Sequence, residues 1–279
     1  MLVGEAPDRA ARGSPTVKSI TSRHNSIVKR YREVARGEVP SLVLLEGPHL
    51  IEEAVAAHLP IHDVACSPQG LDLPGVQQLI QDLETAGVAS WAVTDEVLHA
   101  MSPARSPAGI VALALRPVAT LASALARAPQ LVLVAVDVQD PGNVGAIIRA
   151  AEAGGATAAM FAGASADPFG WKALRGSMGS SFRLPVVATG TTQAVTAARA
   201  SGLRLVATTP RGTRSLFEAD LTGPVAFLVG AEGTGLSDDL VQSADEAIRI
   251  PMREPVESLN VAVASALVIY EASRQRTTT

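Results

Sequence analysis

Residues 131–138 read Leu-Val-Leu-Val-Ala-Val-Asp-Val, seven aliphatic positions out of eight. Successive side chains of a strand point to opposite faces, so this strand is apolar on both. That pattern belongs to a parallel sheet covered by helices on each side. Residues 139–145, Gln-Asp-Pro-Gly-Asn-Val-Gly, supply turn chemistry and then open a helix that carries Arg149. Toward the carboxyl end, further strands are predicted at Ala158–Ala162, Pro185–Ala188, Leu203–Thr208, Pro224–Val229 and Ala247–Ile250. Helical stretches fall between them, and a last helix runs from about Ser258 to Arg274. Strands alternating with helices define an α/β domain with a mostly parallel sheet.

Toward the amino end, Arg116 to Pro129 reads as a linker with one short helical stretch. Before it lies a second, smaller α/β unit. Its strands are expected at Ser41–Leu45, Ile61–Cys66, Val88–Val93 and Ile110–Leu115, and its helices at Pro48–Ala57 and Gly75–Ala86. A further helix, Ser22–Ala35, sets Ile27, Val28, Tyr31 and Val34 along one side and Lys29, Arg30 and Arg32 on the other. Residues 1–16 lack apolar periodicity and are expected to be a disordered basic leader. The division is therefore leader 1–16, first domain 17–115, linker 116–129 and second domain 130–279.

Composition narrows the function. The chain has 279 residues, 47% hydrophobic and 18% charged, with a formal charge of −4. No apolar run reaches the roughly 18 to 20 residues of a membrane helix, and no signal-peptide core opens the chain, so a cytoplasmic protein is expected. Cys66 is the only cysteine, which excludes a disulfide framework and a multi-cysteine zinc site. His58 and His62 stand four apart but are separated by Pro60, so no metal site is expected. The charge is uneven. Residues 1–36 hold eight Lys or Arg against three acids, a local +5, leaving −9 for the rest. A basic leader on an acidic body suits contact with a polyanion, because only the contacting face must be positive; a solvated tail is the alternative.

Ligands of parallel α/β sheets gather at the carboxyl ends of strands. Three such places stand out. In the first, Asn143 reads as a helix N-cap between Gly142 and Gly145, with Arg149 on the second turn; an ordinary βα turn with a surface arginine is the bland alternative. The second, Gly230-Ala231-Glu232-Gly233-Thr234-Gly235, has three glycines in six residues but neither a dinucleotide fingerprint nor a Walker lysine. The third is Ile250-Pro251-Met252 followed by Ser258-Leu259-Asn260-Val261. There Ser258 reads as the N-cap of the last helix, and Asn260 is an odd choice if helix stability were its only role.

Together these segments resemble the SpoU/TrmH family of SPOUT RNA methyltransferases. Asn143, Gly145 and Arg149 match its first motif, Gly230, Glu232 and Gly235 its second, and Ile250-Pro251-Met252 with Ser258-Leu259-Asn260-Val261 its third. Leu45-Glu46-Gly47 and Pro107-Ala108-Gly109-Ile110-Val111-Ala112 are similar, more loosely, to the family's substrate-binding domain of the ribosomal-protein L30e type. The resemblance implies an α/β-knot (deep trefoil) catalytic domain and a smaller L30e-like domain. It implies a homodimer with the active site near the subunit interface. The cofactor would be S-adenosylmethionine, held by Gly230, Ile250 and Leu259 with Leu228 and Met252 nearby. Methyl transfer to a ribose 2′-hydroxyl of RNA would use Arg149, with Asn143, Glu232, Ser258 and Asn260 orienting it. The family gives this arginine the role of general base. A guanidinium pKa above about 12 favours phosphate binding and alkoxide stabilisation instead. RNA contact is expected at Arg23, Lys29, Arg30 and Arg32. The separate first domain favours 23S rRNA as substrate, an antibiotic-resistance role included. A tRNA methyltransferase and a non-enzymatic ribosome assembly factor are the alternatives.

Overall fold

The computed structural model describes residues 18–128 and 130–277, so the leader assigned to residues 1–16 lies outside the described part. The first unit contains β1 (Lys18–Ile20), α1 (Ser26–Ala35), β2 (Leu42–Glu46), α2 (Pro48–Ala56) and β3 (Ile61–Cys66). It continues with α3 (Pro68–Leu71), α4 (Val76–Thr85), β4 (Ala89–Val93), α5 (Asp95–Met101) and β5 (Ile110–Leu115). Its sheet has the order β1-β4-β3-β5-β2, with β5 antiparallel to both neighbours and the other pairs parallel.

After α6 (Leu121–Leu125) come β6 (Leu131–Val136), α7 (Pro141–Ala153), β7 (Ala158–Ala162), α8 (Trp171–Ser177), α9 (Ser180–Arg183) and β8 (Val186–Thr189). α10 (Thr191–Ala200), β9 (Arg204–Thr208), β10 (Arg214–Ser215) and β11 (Val225–Gly230) follow, then α11 (Asp238–Ser243), β12 (Glu246–Arg249) and α12 (Val261–Thr277). The seven strands are ordered β10-β12-β9-β11-β6-β7-β8, and every pair is parallel.

The alternation in β6 explains this layering. Leu131, Leu133 and Ala135 join a cluster with Val144, Ile147 and Ile148 of α7 and Val268 and Ile269 of α12. Val132, Val134 and Val136 join another with Ala194 and Ala198 of α10 and Ala124 and Leu125 of α6. Each Leu, Val or Ile side chain among them gains about 1.5–3 kcal/mol from burial, so the strand is held from both sides. α6 belongs to the predicted linker, yet it packs into this second core rather than tethering loosely.

The two units touch directly. The first cluster also contains Val43, Leu45 and Ile51 of the first unit. Arg183 forks onto Glu152 at 2.7 and 2.9 Å and also donates to Glu53. Arg116 pairs with Asp167 at 2.9 and 2.5 Å and lies over the Phe169 ring.

Two local expectations need correction. Asp140, not Asn143, caps α7: its side chain accepts from the Asn143 amide at 2.9 Å, and Pro141 occupies the first helical position. Ser258 caps nothing, because α12 starts at Val261 and Asn260 Oδ1 accepts from the Ala262 and Val263 amides at 2.9 and 3.3 Å. Gly145, matched to the first motif, lies at a helix crossing. A Cβ there would stand 2.4 Å from the Ala173 carbonyl oxygen and 2.9 Å from Gly176.

Candidate active site

A cavity of about 470 Å³ opens at the carboxyl ends of β9, β11 and β12. Its walls are the strand ends Thr208 and Val229, the loop from Gly230 to Leu236, and Ile250, Met252, Ser258 and Leu259. The glycine-rich loop doubles back tightly. The Gly235 amide donates to the Ala231 carbonyl at 2.9 Å, and a Cβ on Gly230 would lie 2.2 Å from the Gly235 carbonyl carbon. Only glycine lets the strand end and its own loop approach so closely, and the whole loop from Gly230 to Leu236 lines the cavity.

Beside the cavity three loops are tied together through one carboxylate oxygen. Glu232 Oε1 accepts from Asn143 Nδ2 at 3.1 Å, from Asn260 Nδ2 at 2.5 Å and from the Val261 amide at 3.4 Å. Asn260 Nδ2 also reaches Asn143 Oδ1 at 3.0 Å. One asparagine amide thus caps α12 with its oxygen and fastens two loops with its nitrogen. The charge of Glu232 sits at the amino end of α12, where the helix dipole favours an anion.

The remaining predicted residues divide. Gly230, Ile250, Met252, Ser258 and Leu259 all line the cavity. Leu228 does not: its side chain is fully buried in the second core, so only its backbone can serve the site. Arg149 is exposed on α7, does not line the cavity, and has no hydrogen bond or ion pair within the described residues. The polar residues expected to orient Arg149 bond to one another instead, apart from Ser258 on the cavity wall.

The basic residues around α1 each have a partner. Arg23 pairs with Glu96 at 3.4 Å, Lys29 with Glu33 at 3.6 Å, Arg30 reaches His62 at 3.1 Å, and Arg32 donates to the Ala100 carbonyl at 2.7 Å. The sequence reading missed the wall from Thr208 to Arg211. Its signal was present in Thr208-Thr209-Pro210-Arg211 directly after a buried strand of the same sheet. Arg211 is the one Lys or Arg among the lining residues, and it pairs with Asp238 at 2.6 Å. Among the described residues no cluster of three or more His, Cys, Asp or Glu is placed to hold a metal, and no helix is long and apolar enough to cross a membrane.

A parallel α/β sheet with a ligand-sized cavity at its strand ends, joined to a second α/β unit, defines a two-unit α/β protein with its candidate site in the larger unit. The particular family follows from comparison. Residues 130–270 match the SpoU rRNA Methylase family, and residues 44–117 match the RNA 2′-O ribose methyltransferase substrate binding family. The chain belongs to the SpoU family. It is 30% identical to the 23S rRNA (guanosine(2553)-2′-O)-methyltransferase RlmP of Bacillus subtilis, over 91% of this chain and 98% of that one. The AdoMet-bound rRNA methyltransferase of Sinorhizobium meliloti superposes with a TM-score of 0.82 at 29% identity, covering 92% of this chain and 98% of that one. The SpoU methyltransferase AviRb of Streptomyces viridochromogenes, in complex with AdoMet, gives a TM-score of 0.80 at 28% identity, covering 91% and 99%.

Proposed function

We propose that this chain methylates a ribose 2′-hydroxyl of 23S rRNA with S-adenosylmethionine as donor. The observation that carries the proposal is the Asn143–Glu232–Asn260 network closing three strand-end loops around a cavity of ligand size. The cavity fits the cofactor chemically. It offers backbone along Gly230–Gly235, apolar Ile250, Met252 and Leu259, and the Thr208 hydroxyl, which is buried without a partner among the described residues. Its single arginine is already paired, as suits a ligand without phosphates. Bound there, S-adenosylmethionine would supply a methyl group to the ribose oxygen and leave as a neutral thioether, with the hydroxyl proton passing to solvent, so no metal is required.

The protein's own work is alignment and charge stabilisation. A ribose hydroxyl is a weak acid, and holding it in line with the methyl group contributes about 7–11 kcal/mol. Arg149, exposed and unpaired, is free to bind the neighbouring phosphate and stabilise the developing alkoxide. Asn143, Glu232, Ser258 and Asn260 keep the pocket wall in place beside it. The first unit, residues 17–115, binds RNA shape with Arg23, Lys29, Arg30 and Arg32 at phosphates; residues 116–129 connect it to the catalytic unit, 130–279. The knotted threading of the carboxyl-terminal segment belongs to the same reading, as do a cytoplasmic location and a homodimer.

Arg149→Ala should abolish transfer of labelled methyl groups to 23S rRNA while binding of S-adenosylmethionine by calorimetry is unchanged. Retained transfer would remove Arg149 from the mechanism. Mapping the modified nucleotide in total RNA tests the substrate, and a methylated tRNA in place of 23S rRNA would overturn that assignment.

A further inference from the structure

Four side chains of the first unit form a connected chain remote from the cavity. The buried Tyr31 hydroxyl donates to Asp63 Oδ1, His62 Nδ1 stands 2.7 Å from Asp63 Oδ2, and Arg30 Nη2 stands 3.1 Å from His62 Nε2. Asp63 is 2% exposed, whereas His62 and Arg30 meet at the surface. A guanidinium only donates, so Nε2 is the acceptor in that contact and Nδ1 the donor to Asp63.

Neighbouring residues in a strand point to opposite faces, yet His62 and Asp63 both reach α1. The register explains it. Ile61 pairs with Ala114 and Asp63 with Leu113, leaving His62 as the extra residue of a β-bulge. A bulge interrupts the ladder and re-aims a side chain, and such bulges are frequent beside functional sites. The exposed Arg30–His62 contact adds little stability that would account for it. Tyr31 stays a donor throughout, because burial and then Asp63 push its pKa well above the ordinary value.

We infer that Arg30 and His62 form a subsite for one backbone phosphate of the substrate RNA, and that filling it takes up one proton. The inference rests on the RNA reading above. In the free protein His62 occupies a donor of Arg30. A phosphate oxygen replaces it as acceptor and faces Nε2, which can meet an acceptor only when protonated. The proton comes from solvent, no covalent bond changes, and buried Asp63 compensates the imidazolium. The other charged groups of α1 nearby, Lys29 and Glu33, pair with each other, and the strand neighbours Ala89, Leu113 and Ala114 are uncharged. Because the complex holds one more proton than the free protein, affinity falls as pH rises.

The test is equilibrium binding of a 23S rRNA transcript to the full chain at constant ionic strength between about pH 6 and pH 8. Wild-type Kd should rise with pH, by at most about tenfold per unit for one proton. His62→Asn keeps an amide for Asp63 but nothing to titrate; its Kd should be flat and match the high-pH wild type. Arg30→Gln should lower the salt slope by about one unit. Circular dichroism checks folding, with His62→Gln as substitute if His62→Asn does not fold. Equal pH slopes in wild type and variant would overturn the subsite while leaving the RNA reading intact. Absence of RNA binding at every pH would overturn both. An imidazole resonance of His62 shifted equally by inorganic phosphate alone would overturn the assignment to an RNA phosphate.

Discussion

Glu232 Oε1 is the atom on which three separate loops converge, accepting from Asn143, Asn260 and the Val261 amide. Hydrogen bonds to a charged acceptor contribute about 1.5–3 kcal/mol when shielded, and less here, because Glu232 and Asn260 are exposed and water can replace the lost acceptor. Glu232→Ala should therefore weaken S-adenosylmethionine binding about threefold to tenfold by calorimetry. Glu232→Gln, which keeps a neutral acceptor, should lose less. Unchanged affinity in the alanine variant would mean that the loops hold the cavity without this carboxylate. The residues of this network were legible only together, because each strand-end loop alone also reads as an ordinary turn, whereas the order and spacing of all three do not. Their partners were not. Ser258 and Asn260 are both good caps two residues apart; Asn260 Oδ1 takes the Ala262 and Val263 amides, while its Nδ2 is tied to Glu232 and Asn143, 28 and 117 positions away. Asp140 against Asn143 was decidable locally, since Pro141 favours the first helical position.

Elements show the same division between local and distant causes. Strands such as β6 and β7 were readable because both faces are buried, so every residue carries the signal. β1 was not, because only Ile20 of its three residues is buried and pairing with β4 alone makes it a strand. α5 has seven residues, too few to display a period, although Thr94 caps it by accepting from the Val97 amide at 3.2 Å. Gly145 carries a motif signal that packing explains, since α7 and α8 cross there backbone to backbone. Gly145→Ala should cost about 1–3 kcal/mol through overpacking, seen as a lower melting temperature. No change would mean that the crossing relaxes freely. At the joint between units, burial opposes ionisation of Glu152, but hydrogen bonds from Arg183 and Ser180 hold it below the usual carboxylate range. A depressed folded pKa stabilises above the unfolded value, about 4.3, and that contribution disappears as pH falls through the folded one. Arg183→Ala should thus lower the melting temperature by a few degrees at neutral pH, about 1 kcal/mol for so exposed a cluster, and by progressively less in acid. A difference independent of pH would assign the effect to packing.

At the scale of the whole molecule, α12 is apolar on two sides. Val261, Val268, Ile269 and Ala272 enter the core, while Val263, Leu267 and Tyr270 recur at helical spacing on the outside and are 48%, 38% and 52% exposed. A helix that is hydrophobic all round is ordinarily buried all round, so this stripe calls for a covering surface. In the proposed homodimer a second copy of the chain would supply one by two-fold symmetry, with the same stripe on each side. α12 packs on α7, the helix that bears exposed Arg149, so a dimer formed here would bring that arginine close to the subunit boundary. Leu267→Glu places a charge in the middle of the stripe without touching the inner face. It should leave the circular dichroism spectrum unchanged, convert the protein to a monomer in analytical ultracentrifugation, and strongly reduce methyl transfer. A variant that is monomeric and fully active would place the whole reaction within one chain. One that remains dimeric would move the interface elsewhere and leave the outer face of α12 for another partner.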